Sequence, residues 1–148
     1  MDRFRQRNEK SALSSPSLLQ RDSDRSRQLA LAAARTACEC RGQNVVVLDL
    51  RELTPVFDFF VLVTGTSGRQ LRSISEEIDN VLERQLGDKR LSIEGFQDSK
   101  WILLDYGNVV VHLFDAEMRS FYDLENLWGA AKRVDLESAG IVQRGTNG

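Results

Sequence analysis

The sequence predicts a single α/β domain, a mixed sheet of about five strands flanked by helices, and three observations carry that prediction. Short β-branched runs alternate with longer stretches of helical periodicity, in the order α-β-β-α-β-β-β-α. Two of the runs, residues 45–50 (VVVLDL) and 59–64 (FFVLVT), are apolar on both faces, as strands are in the middle of a covered sheet. The 148 residues show no internal repeat and 41% are hydrophobic. That length suits one domain, able to bury roughly two thirds of the surface its unfolded chain would expose.

Residues 1–25 are polar, rich in serine and arginine and interrupted by Pro16, which predicts a disordered tail. An organelle transit peptide is the alternative, against which Asp2, Glu9, Asp22 and Asp24 speak. The domain is expected over residues 26–129. Its first helix covers 26–40, where Leu29, Ala33, Thr36, Ala37 and Cys40 recur at three- and four-residue spacing and Gly42 stands as a stop. After the two apolar strands, Ser67 and Gln70 have the spacing of a capping box. The helix they open carries a stripe of Leu71, Ile74, Ile78, Val81, Leu82 and Leu86 as far as Gly87. Residues 91–96 (LSIEGF) alternate like a half-exposed strand, and 101–105 (WILLD) and 109–114 (VVVHLF) flank the turn residues Tyr106, Gly107 and Asn108 as a hairpin. A last helix is predicted over about 116–128, with Phe121, Leu124, Leu127 and Trp128 at helical spacing, followed by a weakly structured tail over 130–148.

Charge and cysteine usage narrow the function. Residues 1–27 carry a net of +3 and residues 28–148 a net of −5. An acidic domain matches phosphate backbones poorly and a basic protein partner well, so direct sequence-specific nucleic-acid binding is not expected. No apolar run reaches the roughly 18 residues of a membrane span. Cys38 and Cys40 are two residues apart on a helix, hence about 200° apart around it, and cannot easily bridge. That fits a reduced, cytoplasmic-type setting. With a single histidine, a four-ligand metal site would need carboxylates, and neither metal nor cofactor is expected.

The loop at residues 64–68 (TGTSG) follows a strand and opens a helix, so its N–H groups can serve either as a structural cap or as an anion site. It lacks the lysine of a P-loop and the spacing of a dinucleotide site. Nucleotidyl transfer, which this layout invites, needs two strand carboxylates for magnesium. Asp49 is followed by Leu50 and Arg51, and Asp105 by Tyr106 and Gly107, so neither strand offers a D-x-D pair. Asp58 reads as a cap or an internal partner. His112, alone in an apolar strand, reads as a hydrogen-bonded structural residue, and no G-x-S-x-G is present for hydrolysis. No catalytic residue is therefore assigned. Among the aromatics, Phe121 and Trp128 share one helical stripe and are expected in the core. Tyr122 lies one step off it and Trp101 follows the polar run 97–100, so these two are expected as exposed or partly exposed contacts.

Five segments in register resemble the ribosomal silencing factor family, also called Iojap-like or RsfS. They are Asp58-Phe59-Phe60-Val61, Thr64-Gly65-Thr66-Ser67, Glu94-Gly95 with Trp101-Ile102-Leu103-Leu104-Asp105-Tyr106-Gly107, Val110-Val111-His112, and Tyr122-Asp123-Leu124-Glu125-Asn126-Leu127-Trp128. The likeness spans roughly residues 28–129. It implies a fold similar to a nucleotidyltransferase core without its catalytic carboxylates. It also implies a translation repressor that binds the large ribosomal subunit through its protein number fourteen, sterically blocks joining of the small subunit, and in organelles assists large-subunit maturation. The family's contact surface falls here on Trp101 and Tyr122, and Lys100, Arg119 and Glu125 are added as rim charges from their proximity in sequence. A nucleotide-binding or nucleotidyltransferase-like enzyme is the alternative, and a homodimer through strand edges stays open.

Overall fold

The computed structural model describes residues 16–143. The expectations for residues 1–15 and for the last five residues lie outside the described residues. Helix α1 (Pro16–Glu39) leads into β1 (Gln43–Asp49) and β2 (Phe59–Thr64), followed by α2 (Gly68–Asn80), which widens into a π-helical turn over Val81–Gln85. Then come β3 (Ser92–Glu94), β4 (Trp101–Asp105), β5 (Val109–Phe114), α3 (Ala116–Tyr122), α4 (Leu124–Leu127) and β6 (Lys132–Arg133). The six strands form one mixed sheet in the order β3-β4-β5-β2-β1-β6. Strands β2 and β5 run parallel at its centre, and the other neighbours are antiparallel.

All six residues of β2 and all six of β5 are buried, which is why both read as continuous apolar runs. One face of the sheet is covered by α1 and α2. Ala30, Ala33, Ala34 and Ala37 have no exposed surface, and their small side chains let α1 lie close on the strands. The opposite face holds a second cluster of Leu48, Leu50, Phe57, Phe60, Leu62, Val110, Phe114 and Leu124, covered by α3, α4 and the β1–β2 connection.

Four differences from the sequence-based expectation have local physical causes. First, α1 starts at Pro16 rather than Ser26, with proline at a position where its missing N–H costs nothing. The polar stretch thought disordered from residue 16 to 25 is helical, and partners far along the chain meet it. Ser23 Oγ accepts from Arg51 Nη1 at 2.8 Å, and the Arg25 guanidinium donates to the Leu86 carbonyl.

Second, the strand expected over 91–96 is trimmed to three residues. Gly95 has φ +76°, and a Cβ there would sit 2.0 Å from the Trp101 carbonyl oxygen, so the chain turns away at a point only glycine allows.

Third, the expected last helix is two. Asp123 adopts a left-handed conformation (φ 46°, ψ 55°), its N–H bonding to the Arg119 carbonyl, and α4 starts afresh from it. The kink turns Leu124 and Trp128 toward the sheet and leaves Phe121 77% exposed, so Phe121 is not core.

Fourth, the segment expected as a weak tail is stitched into the domain through residue 143. Its strand β6 is the sixth of the sheet, Leu136 and Ile141 are buried in the first cluster, and Val134 N–H bonds to the Val47 carbonyl at 2.9 Å. The Gln143 amide pairs with both the N–H and the C=O of Val45, each at 2.9 Å, standing in for a strand partner along the outer edge of β1.

Candidate docking face at the sheet end

The register brings Trp101 at the start of β4 opposite Phe114 at the end of β5, beside Thr64 at the end of β2 and Gln43 at the start of β1. Helix α3 crosses this end. It begins where the Asp115 carboxylate accepts the Met118 N–H at 2.8 Å, and the Asp115 N–H in turn bonds to the Lys100 carbonyl at 3.2 Å, tying the helix start to the residue before Trp101. As a result Tyr122 lies on Trp101 with ring centroids 4.7 Å apart, and Phe121 continues the row 4.9 Å beyond. Trp101 is half-buried, Tyr122 47% exposed and Phe121 77% exposed, so the three rings descend from solvent into the second cluster. Exposed charges in the flanking segments are mostly acidic, with Glu94, Asp98, Glu117 and Asp123 against Lys100.

Two buried polar groups lie under this row. His112 Nδ1 accepts the Trp101 indole N–H at 3.1 Å. Burial among Phe60, Phe114 and Trp101 holds the imidazole neutral, its pKa pushed down to about 3 by desolvation.

Arg119 is the second group, and its expected place as a rim charge is corrected: it is only 9% exposed. Nη1 donates to the Asn44 carbonyl at 2.6 Å and to Thr64 Oγ1 at 2.8 Å, and Nε donates to Glu125 Oε1 at 2.9 Å. Asn44 has φ 48° at an irregularity in the β1–β2 register, which marks the bulge where its carbonyl meets Arg119. Glu125 is shared with Arg133 at 3.3 Å, and the hydrogen bond from Arg119 holds its carboxyl below the usual glutamate range against the opposing effect of burial.

Of the five predicted contact residues, then, Trp101 and Tyr122 touch, Lys100 is exposed beside them, and Arg119 with Glu125 forms an interior clasp behind them. Sequence reasoning missed Phe121, because nothing local marks Asp123 as the residue that breaks the helix, although aspartate is among the few side chains that tolerate that conformation. It reads His112 as a hydrogen-bonded residue, as the structure shows it to be, without naming Trp101 as the partner.

The glycine-rich loop carries the structural cap that its spacing predicts. Ser67 Oγ accepts the Gln70 N–H at 3.1 Å, and Gln70 Oε1 reaches back to the Thr66 N–H at 2.7 Å, one residue earlier than the usual capping box. Gly65 N–H is bonded to the Phe114 carbonyl at 3.1 Å. The strand carboxylates are dispersed. Asp49 pairs with Arg51 at 2.7 Å, Asp58 hydrogen-bonds Ser26 while burial raises its pKa, and Asp105 accepts the Gly107 N–H at 2.8 Å. Among the described residues no three His, Cys, Asp or Glu side chains converge as a metal site, and no helix is long and apolar enough to cross a membrane.

Fold and site define a small α/β protein whose prominent surface feature is an aromatic row with acidic surroundings at one end of its sheet. Residues 23–147 match the sequence model of a family, RsfS, described as ribosomal silencing factor during starvation, and this chain belongs to that family. It is 37% identical over 108 residues to the ribosomal silencing factor of Bacillus subtilis, covering 72% of this chain and 91% of that protein. It is 34% identical over 110 residues to the one from Halalkalibacterium halodurans, covering 74% and 93%. A crystal structure of a protein from Chromobacterium violaceum superposes with a TM-score of 0.67 at 30% identity, covering 70% of this chain and 86% of that one. The family match extends over the segment 130–143, whose strand β6 completes the sheet.

Proposed function

We propose that this chain is a non-enzymatic translation repressor of the cytoplasm that binds the large ribosomal subunit through its protein number fourteen and sterically prevents the small subunit from joining. The observation that carries the proposal is the row Trp101–Tyr122–Phe121, partly exposed aromatic rings in mutual contact with acidic residues around them. Such rings combine large contact area with few rotatable bonds, and an acidic surround suits a basic ribosomal protein. Occlusion requires no bond-making, in keeping with the dispersed carboxylates of Asp49, Asp58 and Asp105. That dispersal disfavours the nucleotidyl-transfer alternative, which needs two converging carboxylates. Homodimerisation through strand edges has little to work with, since β3 and β6 offer three and two residues.

The test is co-sedimentation of the purified protein with separated ribosomal subunits, followed by readdition of the missing subunit. Binding to the large subunit alone with fewer joined ribosomes is expected. Binding to neither, or undiminished joining with the large subunit saturated, would refute occlusion.

A further inference from the structure

We infer that His112 is a positioning residue for the docking face: its Nδ1 holds the Trp101 indole N–H turned inward, so that Trp101 meets a partner with its ring. The inference rests on the reading of Trp101 as a docking aromatic. Indole is a donor only, so the 3.1 Å contact requires an unprotonated Nδ1 and places the imidazole proton on Nε2. Among the described residues that Nε2 is buried without a hydrogen-bond partner. A buried donor left unmet is destabilising, whereas an apolar side chain in the same slot, between Phe60 at 4.6 Å and Phe114 at 6.3 Å, carries no such burden. What histidine supplies there and a hydrophobic residue does not is the acceptor for Trp101. Without it the indole N–H has to find another partner, and the ring turns with it. Tyr122, stacked on Trp101 at 4.7 Å, then loses its platform.

This reading predicts opposite signs for stability and function, which a purely structural histidine does not. His112→Phe removes both nitrogens, and His112→Leu does the same with less bulk should the larger ring crowd Phe60. His112→Asn replaces Nδ1 by an amide oxygen at nearly the same place. Three quantities are measured on the full chain: melting temperature, hydrogen exchange of the Trp101 indole N–H by NMR, and affinity for isolated large subunits. At least one apolar variant should melt no lower than the parent. Its indole should exchange about tenfold faster or more, and its binding should weaken about tenfold or more. His112→Asn should return both toward the parent.

Unchanged indole exchange in both apolar variants would overturn the inference. So would a lower melting temperature in both apolar variants with normal binding per folded molecule, which would make His112 a core residue. Exchange is read on the free protein. If the parent itself fails to bind large subunits, it is the docking reading that fails, and the exchange result still decides whether His112 positions Trp101.

Discussion

Arg119→Met is the substitution that most directly tests how the docking face is held. The methionine can follow the path of the arginine stem, so the change removes the guanidinium with little loss of packing. Three acceptors are then abandoned: the Asn44 carbonyl, Thr64 Oγ1 and Glu125 Oε1, previously met at 2.6, 2.8 and 2.9 Å. Hydrogen bonds to charged groups contribute about 1.5–3 kcal/mol each, and their simple sum overshoots. The Thr64 hydroxyl can turn to another acceptor, and Glu125 keeps Arg133 at 3.3 Å and is 24% exposed, so its charge is not stranded. A loss of about 3 kcal/mol, the low end for breaking a buried ion pair, is the expected result. For a domain of this size that lowers the melting temperature by roughly 6–12 °C. Urea denaturation followed by tryptophan fluorescence measures it as a shift in midpoint at constant m. Adding Glu125→Gln to the same chain should cost less than it does in the parent, because Arg119 is no longer there to lose its carboxylate partner. A single-variant loss below about 0.5 kcal/mol, the scale of ordinary surface substitutions, would show that these contacts do not clasp α3 to the sheet.

Further outcomes follow from the same geometry. Trp101→Ala should weaken large-subunit binding by about 2 kcal/mol or more, roughly thirtyfold, and since Trp101 also packs on Phe114, affinity must be expressed per folded molecule; unaltered affinity per folded molecule would move the docking face elsewhere. Phe121→Ser should leave stability within about 0.5 kcal/mol, because the ring is 77% exposed, yet weaken the same binding; equal binding would remove Phe121 from the face. His112 makes stability depend on pH: its pKa is about 3 in the folded chain and about 6.5 when unfolded, so between those values the unfolded chain holds the extra proton and stability falls as pH falls. Urea titrations at pH 7.0 and 5.5 should differ by about 1.2 kcal/mol from this group, and a difference equally large in the stable apolar variant at position 112 would assign it to other residues.

The resemblance to the silencing-factor family, readable from five segments, anticipated the family and the α/β class. The capping residues Ser67 and Gln70, the β4–β5 hairpin and the stripe of α2 each depend on neighbours within a few residues, and each appears in the structure where its spacing placed it, allowing for Gln70 reaching Thr66 instead of Ser67. Trp101 and Tyr122 were legible as partly exposed for the same reason, one following a polar run and the other lying off the helical stripe.

What the sequence determined by itself, then, is whatever short-range periodicity and turn chemistry can specify: the order of elements from α1 through β5, the two fully buried central strands, and the aromatic character of the face. Tertiary structure alone decided that Arg119 lies inside, because its acceptors at Asn44 and Thr64 are 75 and 55 residues away and one of them faces it through a bulge. It decided that Phe121 points outward, through one left-handed residue that a continuous helical pattern conceals. It also decided that residues 130–143 belong to the domain. Val134 and Leu136 alternate over only three residues and Ile141 falls outside that spacing, and their place is set only when β1 offers an open edge and α1 leaves room beneath it, since burial depends on which distant surface is left uncovered.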